Sequence, residues 1–233
     1  MSIRCYSLFP IPYKVSGMYY FIELMTDEDI PQVQEIESKS FTTPWSSNTY
    51  KRELRNQATC RYIVARASRN PPPPRQPEAA RPRRTGLLAT FFGGLLTPSE
   101  APPQASDPLV GYGGVWLTVD HAHITTIAVA PEERGRGIGE LLLNGLIDHA
   151  YDLQARTLTL EVRVSNTTAQ QLYLKYGFEP GGKRPRYYTD NGEDALIMWT
   201  EEISTPLFQD RLSELRRRLY TRLQAQSETQ EKI

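Results

Sequence analysis

Long hydrophobic runs are missing from this chain. No stretch of about 18 apolar residues occurs, and the greasiest segment, Leu87 to Leu96, is short and broken by Gly93 and Gly94. No membrane partner is expected. The first residues offer no apolar core of the secretory kind, because Arg4 is followed by Pro10, Pro12 and Lys14. Cysteine is scarce: Cys5 and Cys60 make neither a disulfide framework nor a metal site alone. Cys60 is expected to be a small buried hydrophobe in a reduced, cytoplasmic protein. Net charge is absent too. Lys plus Arg (27) balances Asp plus Glu (27), whereas a generic nucleic-acid binder is usually strongly basic, so no direct nucleic-acid partner is expected. His121 and His123 form a lone H-x-H pair with no Cys/His cluster around it, so no metal is expected.

Proline, by contrast, is concentrated. Of 18 prolines, Pro71 to Pro74, Pro77, Pro82, Pro98, Pro102, Pro103 and Pro108 fall in one stretch that also holds Arg81, Arg83 and Arg84. Such a segment sustains neither a helix nor an inner strand. Residues 68–108 are read as a mostly disordered insertion, with Leu87 to Leu96 as either solvated loop or a docking segment. Strand-like sequence stands on both sides of it, at Arg61 to Arg66 and at Leu109 to Trp116. The insertion therefore interrupts a fold without dividing it. The blocks 18–67 and 109–203 together make about 145 residues, a normal single-domain size. Residues 1–17 are an N-terminal extension. Residues 204–233 carry an amphipathic basic helix, with Phe208, Leu212, Leu215, Leu219 and Leu223 on one face and Arg211, Arg216, Arg217, Arg218 and Arg222 beside them. That helix either packs on the domain or docks on a partner.

Within the core, strands are expected at about 19–24, 59–66, 110–118, 121–130, 158–163, 183–189 and 193–200. Helices are expected after Thr26-Asp27 to Lys39, after Ser46 or Ser47 to Arg55, at 136–153 and at 167–176. Gly177 closes the last of these as a C′ glycine, and Asp190-Asn191-Gly192 turns the final hairpin. The order argues an α/β (α+β) fold, a mixed central sheet flanked by helices.

The segment that carries chemistry is Ile127 to Gly139. A β-branched strand runs into alternating glycines, and a strong helix starts at once. Glycine lets backbone approach a ligand closely. Several N–H groups then converge near a helix N-terminus, which is an anion site suited to a pyrophosphate. Arg134 and Arg136 can add charge-assisted bonds. Two other phosphate loops are excluded by residue: Glu140-Leu141 stands where a P-loop needs Lys-Ser/Thr, and the spacing G-x-G-x-G is not the dinucleotide G-x-G-x-x-G.

Arg134-Gly135-Arg136-Gly137-Ile138-Gly139 resembles the R/Q-x-x-G-x-G/A motif of GNAT acetyltransferases. Leu160 to Asn166, Leu172 to Phe178, Phe41 to Ser46, and Arg186 to Met198 look like the RimI subgroup. The resemblance covers the 145-residue core in order. The first 17 residues, the insertion and the C-terminal helix fall outside it. It implies acetyl-CoA as donor and direct transfer to a protein N-terminus, typically the alanine of a ribosomal protein. By the same resemblance, Ile127, Ala128 and Val129 bind the pantetheine and acetyl group through backbone on a splayed strand edge. The loop Arg134, Gly135, Arg136, Gly137, Ile138, Gly139 and Glu140 holds the pyrophosphate, and Asn166 contacts the CoA arm. Glu161 matches the position of the general base, and Tyr173 that of the acid which protonates the departing thiolate. Trp45, Tyr187 and Tyr188 border the peptide groove. Without the resemblance, Glu161 reads as a strand carboxylate paired with Arg163 or a neighbour, and Tyr173 as a half-buried helix residue. Two alternatives stay open: a lysine or small-amine acceptor, and a non-catalytic CoA-binding scaffold.

Overall fold

The computed structural model describes residues 13–15, 17–70 and 107–230. Most of the Pro/Arg-rich insertion, the Leu87–Leu96 segment and Cys5 lie outside the described residues. In chain order the elements are β1 (Tyr13–Val15), β2 (Met18–Leu24), α1 (Ile30–Ser40), α2 (Ser47–Arg55), β3 (Cys60–Ser68), β4 (Leu109–Thr118), β5 (His121–Val129), α3 (Ile138–Asp152), β6 (Thr157–Arg163), α4 (Thr167–Lys175), β7 (Phe178–Tyr188), β8 (Glu193–Thr200) and α5 (Pro206–Gln230). The described strands form one sheet in the order β1-β2-β3-β4-β5-β6-β8-β7. Among the described strands only the β5–β6 pairing is parallel. The mixed sheet flanked by helices is as the sequence leads one to expect.

Local chemistry sets the boundaries. The Thr26 backbone N–H and hydroxyl both donate to the Asp29 carboxylate at 2.8 and 2.9 Å, which organises the turn before α1. Ser46 caps α2 by accepting from the Thr49 N–H at 3.2 Å. Gly177, at φ +84°, takes the left-handed turn after α4. Two boundaries differ from expectation. β1 arises from the segment read as an extension, and it lengthens the sheet by one edge strand. β7 starts at Phe178, before the expected strand, because β8 pairs with it through bulges at Pro180/Gly182 and Arg184/Tyr188.

The insertion leaves from β3 and returns into β4, two adjacent antiparallel strands whose last pair is Arg66 with Leu109. Its root is fastened: Arg66 bonds the Asp107 carbonyl at 2.9 Å and also the carboxylates of Asp29 and Glu23.

Helix α3 covers one sheet face. Ile138, Leu141, Leu142, Leu146, Ile147 and Ala150, the stripe visible in the sequence, are buried in the larger core. Gly111 and Gly113 on β4 leave room for Leu142 and Leu146 to approach the strand. Fully burying side chains of this size contributes about 1.5–3 kcal/mol each. The other side of α3 is buried as well, because α5 crosses it with Phe208, Leu212, Leu215, Leu219 and Leu223 in the same core. The apolar face of α5 is thus spent within the chain. A smaller core fills the opposite sheet face under α1 and α2, where the Tyr50 ring stands edge-on to Tyr62 and Tyr112 at 6.0 and 6.1 Å. Cys60 is buried there, as expected, with its thiol 3.2 Å from Glu53. None of the described helices is long and apolar enough to cross a membrane.

Candidate active site

The site begins where two strands part. β5 and β6 pair only from His121 to Ile124 against Thr157 to Leu160. Just beyond, the β4–β5 register shifts between Gly114 and Val115, and Thr125 has no partner opposite. A bulge of this kind bends its strand. β5 then continues to Val129 beside β4 alone, while β6 continues to Arg163 beside β8. One edge of β5 from Thr125 onward is left without a ladder partner among the described strands. A cleft of about 490 Å³ opens there, lined by residues of α1, the α1–α2 loop, β5, β6, α4 and the β7–β8 hairpin.

The glycine loop follows β5 directly. Gly135 and Gly137 stand at φ +78° and +83°, a region that costs other residues strain, and the space above Gly135 is open. The loop's arginines are held by the chain. The Arg134 Nε donates to the Val129 carbonyl at 3.2 Å. Arg136 bonds Glu133 at 2.8 Å and the Tyr20 hydroxyl at 3.0 Å, and both arginines stay exposed. Glu140, read as part of the phosphate-holding loop, turns its side chain inward. It meets Lys175 and accepts from the Tyr176 hydroxyl at 2.9 Å and Arg222 at 2.6 Å. Burial alone would raise its pKa, but these hydrogen bonds outweigh it and hold the carboxyl below its ordinary range. Only its backbone is left to face an anion.

Side chains line the other wall. Glu161 on β6 is nearly buried, its carboxylate 3.1 Å from His123 Nε2 on β5 and 3.0 Å from the Arg184 guanidinium on β7. The hydrogen bond with His123 is the main cause that lowers its pKa; burial opposes, and the charges of His123 and Arg184 add to the lowering. Arg163, the neighbour that the sequence suggested as its partner, goes elsewhere. It forks onto Asp190 at 2.8 and 2.9 Å, reaches Glu193 at 3.1 Å, and lies over the Tyr188 ring at 3.8 Å. The Thr42 hydroxyl donates to the same Asp190 at 2.9 Å, tying the α1–α2 loop to the hairpin over the cleft.

Tyr173 on α4 lines the cleft across from β5, half-buried. Its hydroxyl has no hydrogen-bond partner among the described residues, and burial raises its pKa, with Tyr188 adding to the rise. Asn166 caps α4 by accepting from the Ala169 N–H at 3.1 Å, so its side-chain N–H groups remain available to the cleft. Trp45, Tyr187 and Tyr188 also border the cleft. Of the expected backbone contacts, Ile127 lines the cleft directly, while Ala128 and Val129 carry the strand to the loop.

His123, Arg184 and Glu37 also belong to the site. The H-x-H spacing carries no sign of the carboxylate that His123 meets on β6, and Arg184 reaches Glu161 from β7, two strands away in the sheet. Glu37 lies on the cleft floor, accepts from the Tyr50 hydroxyl at 2.8 Å, and has its pKa raised by burial. Its signal was available: it sits on the apolar stripe of α1, with Ile30 and Val33, where a carboxylate is out of place.

Known proteins share much of this chain's sequence and fold. Residues 69–178 match the acetyltransferase (GNAT) family. A Bacillus subtilis protein provisionally named a ribosomal protein bS18-alanine N-acetyltransferase is 40% identical over 172 residues, covering 74% of this chain and 89% of its own. The crystal structure of the Escherichia coli ribosomal-protein-S18-alanine N-acetyltransferase superposes with a TM-score of 0.56 at 26% identity, covering 80% of this chain and 95% of that one. A NatC complex bound to Gag peptide and CoA shares the fold alone, at 17% identity and a TM-score of 0.55 over 78% of this chain and 98% of that one. The parted strands, the glycine loop at their end and a relative this similar over most of its length make the chain a member of the GNAT acetyltransferase family.

Proposed function

We propose that the protein transfers the acetyl group of acetyl-CoA to the N-terminal α-amine of a protein, with a ribosomal protein beginning in alanine as the expected acceptor. The observation that carries this reading is the unpaired edge of β5 running into the glycine loop, with Glu161 across the gap. The residues suit the donor. An edge at Ile127, Ala128 and Val129 with no ladder partner among the described strands suits the amides of a pantetheine arm, the Val129 carbonyl accepting from Arg134. The left-handed Gly135 and Gly137 suit a pyrophosphate at the start of α3. Asn166 has donors to spare for the arm.

When bound, the thioester supplies the acetyl group and a thiolate leaving group. Attack needs a neutral nitrogen. An α-amine titrates at roughly 7.7–8.0, so Glu161, ionised throughout the neutral range, takes its proton directly or through one water. His123 and Arg184 make this carboxylate a weaker base than a free one. That suits an α-amine, which sheds its proton near pH 8, better than a lysine with pKa about 10.4. As the new C–N bond forms and the C–S bond breaks, Tyr173 gives its proton to the sulfur. Its raised pKa keeps it protonated until then. Trp45, Tyr187 and Tyr188 border the path of the acceptor chain.

The test is thiol release from acetyl-CoA with peptides beginning Ala, Ser or Met, beside acetyl-Ala peptides that carry an internal lysine. Turnover confined to free N-termini is expected. Turnover with blocked peptides would move the acceptor to lysine. CoA binding without turnover on any acceptor, ribosomal protein included, would leave a scaffold.

A further inference from the structure

Helix α5 lies outside the family-like core, yet it ends up at the cofactor loop. Its first turns sit by α4, where the Arg211 guanidinium fills the space beside Gly177. Its middle holds α3 through Arg216, 2.5 Å from Asp148 and 3.1 Å from the Asn144 side chain. Its later turns reach the start of α3. Leu219 and Leu223 pack where a Gly137 side chain would stand, and Arg222 reaches both that spot and the Glu140 carboxylate.

Glu140 poses an electrostatic problem that these contacts answer. A carboxylate in the first turn of α3 is favoured by the helix dipole, but there it competes with any phosphate the loop is to take. It is buried, so water cannot screen it. Two cations neutralise it. Lys175 comes from the end of α4, within the family-like part of the chain; Arg222 comes from α5. We infer that α5 is a working part of the cofactor site, with Arg222 as a positioning residue. By holding Glu140, it keeps the loop 134–139 receptive to the phosphates of CoA. This rests on the acetyl-CoA reading above. It gives α5 an intramolecular task and explains why its basic residues are not confined to the solvent face.

The charge logic separates this role from mere packing. Removing Arg222 leaves part of the Glu140 charge facing the phosphates. Removing Glu140 as well takes that repulsion away. Pantetheine has the arm but no phosphate or nucleotide, so it does not feel either change. Calorimetric binding of CoA and of pantetheine is measured for wild type, Arg222→Gln and Arg222→Gln/Glu140→Gln, with melting temperature and circular dichroism confirming that each variant folds. Arg222→Gln is expected to weaken CoA about tenfold and more steeply at low salt, with pantetheine unchanged. The double variant is expected to recover most of the loss. Unchanged CoA affinity in Arg222→Gln, equal weakening of both ligands, or no recovery in the double variant would each overturn the inference. A folded wild type that binds pantetheine but gains nothing from the CoA phosphates would overturn it too. Failure of wild type to bind either ligand would instead remove the acetyl-CoA reading on which it stands.

Discussion

The edge of β5 down to Ile127 lines one side of the cleft and leads through Val129 into the glycine loop, whereas β6, α4 and the β7–β8 hairpin line the other side with side chains. The first side is contiguous in sequence and shaped by left-handed glycines at 135 and 137. The second is assembled across long sequence distances: Thr42 with Asp190, His123 with Glu161, Glu161 with Arg184. On the proposed function, the backbone side would recognise what every acetyl donor of one type shares, and the side-chain side would decide what is done to which acceptor. Damage to the two walls should therefore read out in different constants.

The largest effect is expected on the side-chain wall. Glu161→Gln keeps the shape and a partner for His123 but cannot take a proton. It should lower kcat about 10²–10⁴-fold, the usual range for a general base, while calorimetric CoA affinity stays within about twofold. A variant that retained turnover but lost CoA would place Glu161 on the donor side and dissolve the contrast.

On the backbone wall, Gly137→Ala is expected to act the other way. At φ +83° a Cβ costs roughly 1–2 kcal/mol of strain, and it would stand 3.0 Å from a Leu223 methyl. CoA affinity should fall several-fold and the melting temperature by a few degrees, with kcat at saturating donor little changed. A large fall in kcat with intact affinity would mean that the loop does more than hold phosphates.

The same contrast governs what could be read from the sequence. The glycine loop, the α3 stripe, the Ser46 cap and the Gly177 stop are local patterns, and each stands in the fold where the pattern places it. Pro180, Gly181 and Gly182 look like breakers, yet β7 runs through them because β8 supplies the pairing and bulges absorb the mismatch. Arg163 lies two residues from Glu161 on the same strand face, a reasonable partner by spacing. The hairpin carboxylates Asp190 and Glu193 win it instead, since they converge on its fork. Neither β1 nor the reach of α5 to Glu140 has a local signature. Both depend on which surface the rest of the chain leaves uncovered.

The smallest effect concerns pH. Glu161 has its pKa lowered in the folded protein. A depressed folded pKa means that its pairing with His123 and Arg184 stabilises fully above the unfolded value of about 4.3, and is lost as pH falls through the folded value. Glu161→Gln lacks that contribution at every pH. The melting temperature of wild type minus that of the variant should therefore decline as pH falls from about 5 towards the acid transition. The Arg163–Asp190 and Arg163–Glu193 pairs titrate in both proteins and cancel in the difference. A difference independent of pH would mean that His123 and Arg184 do not hold Glu161 in solution. The carboxylate would then be a free, stronger base, and the preference argued for an α-amine over a lysine would lose its electrostatic support.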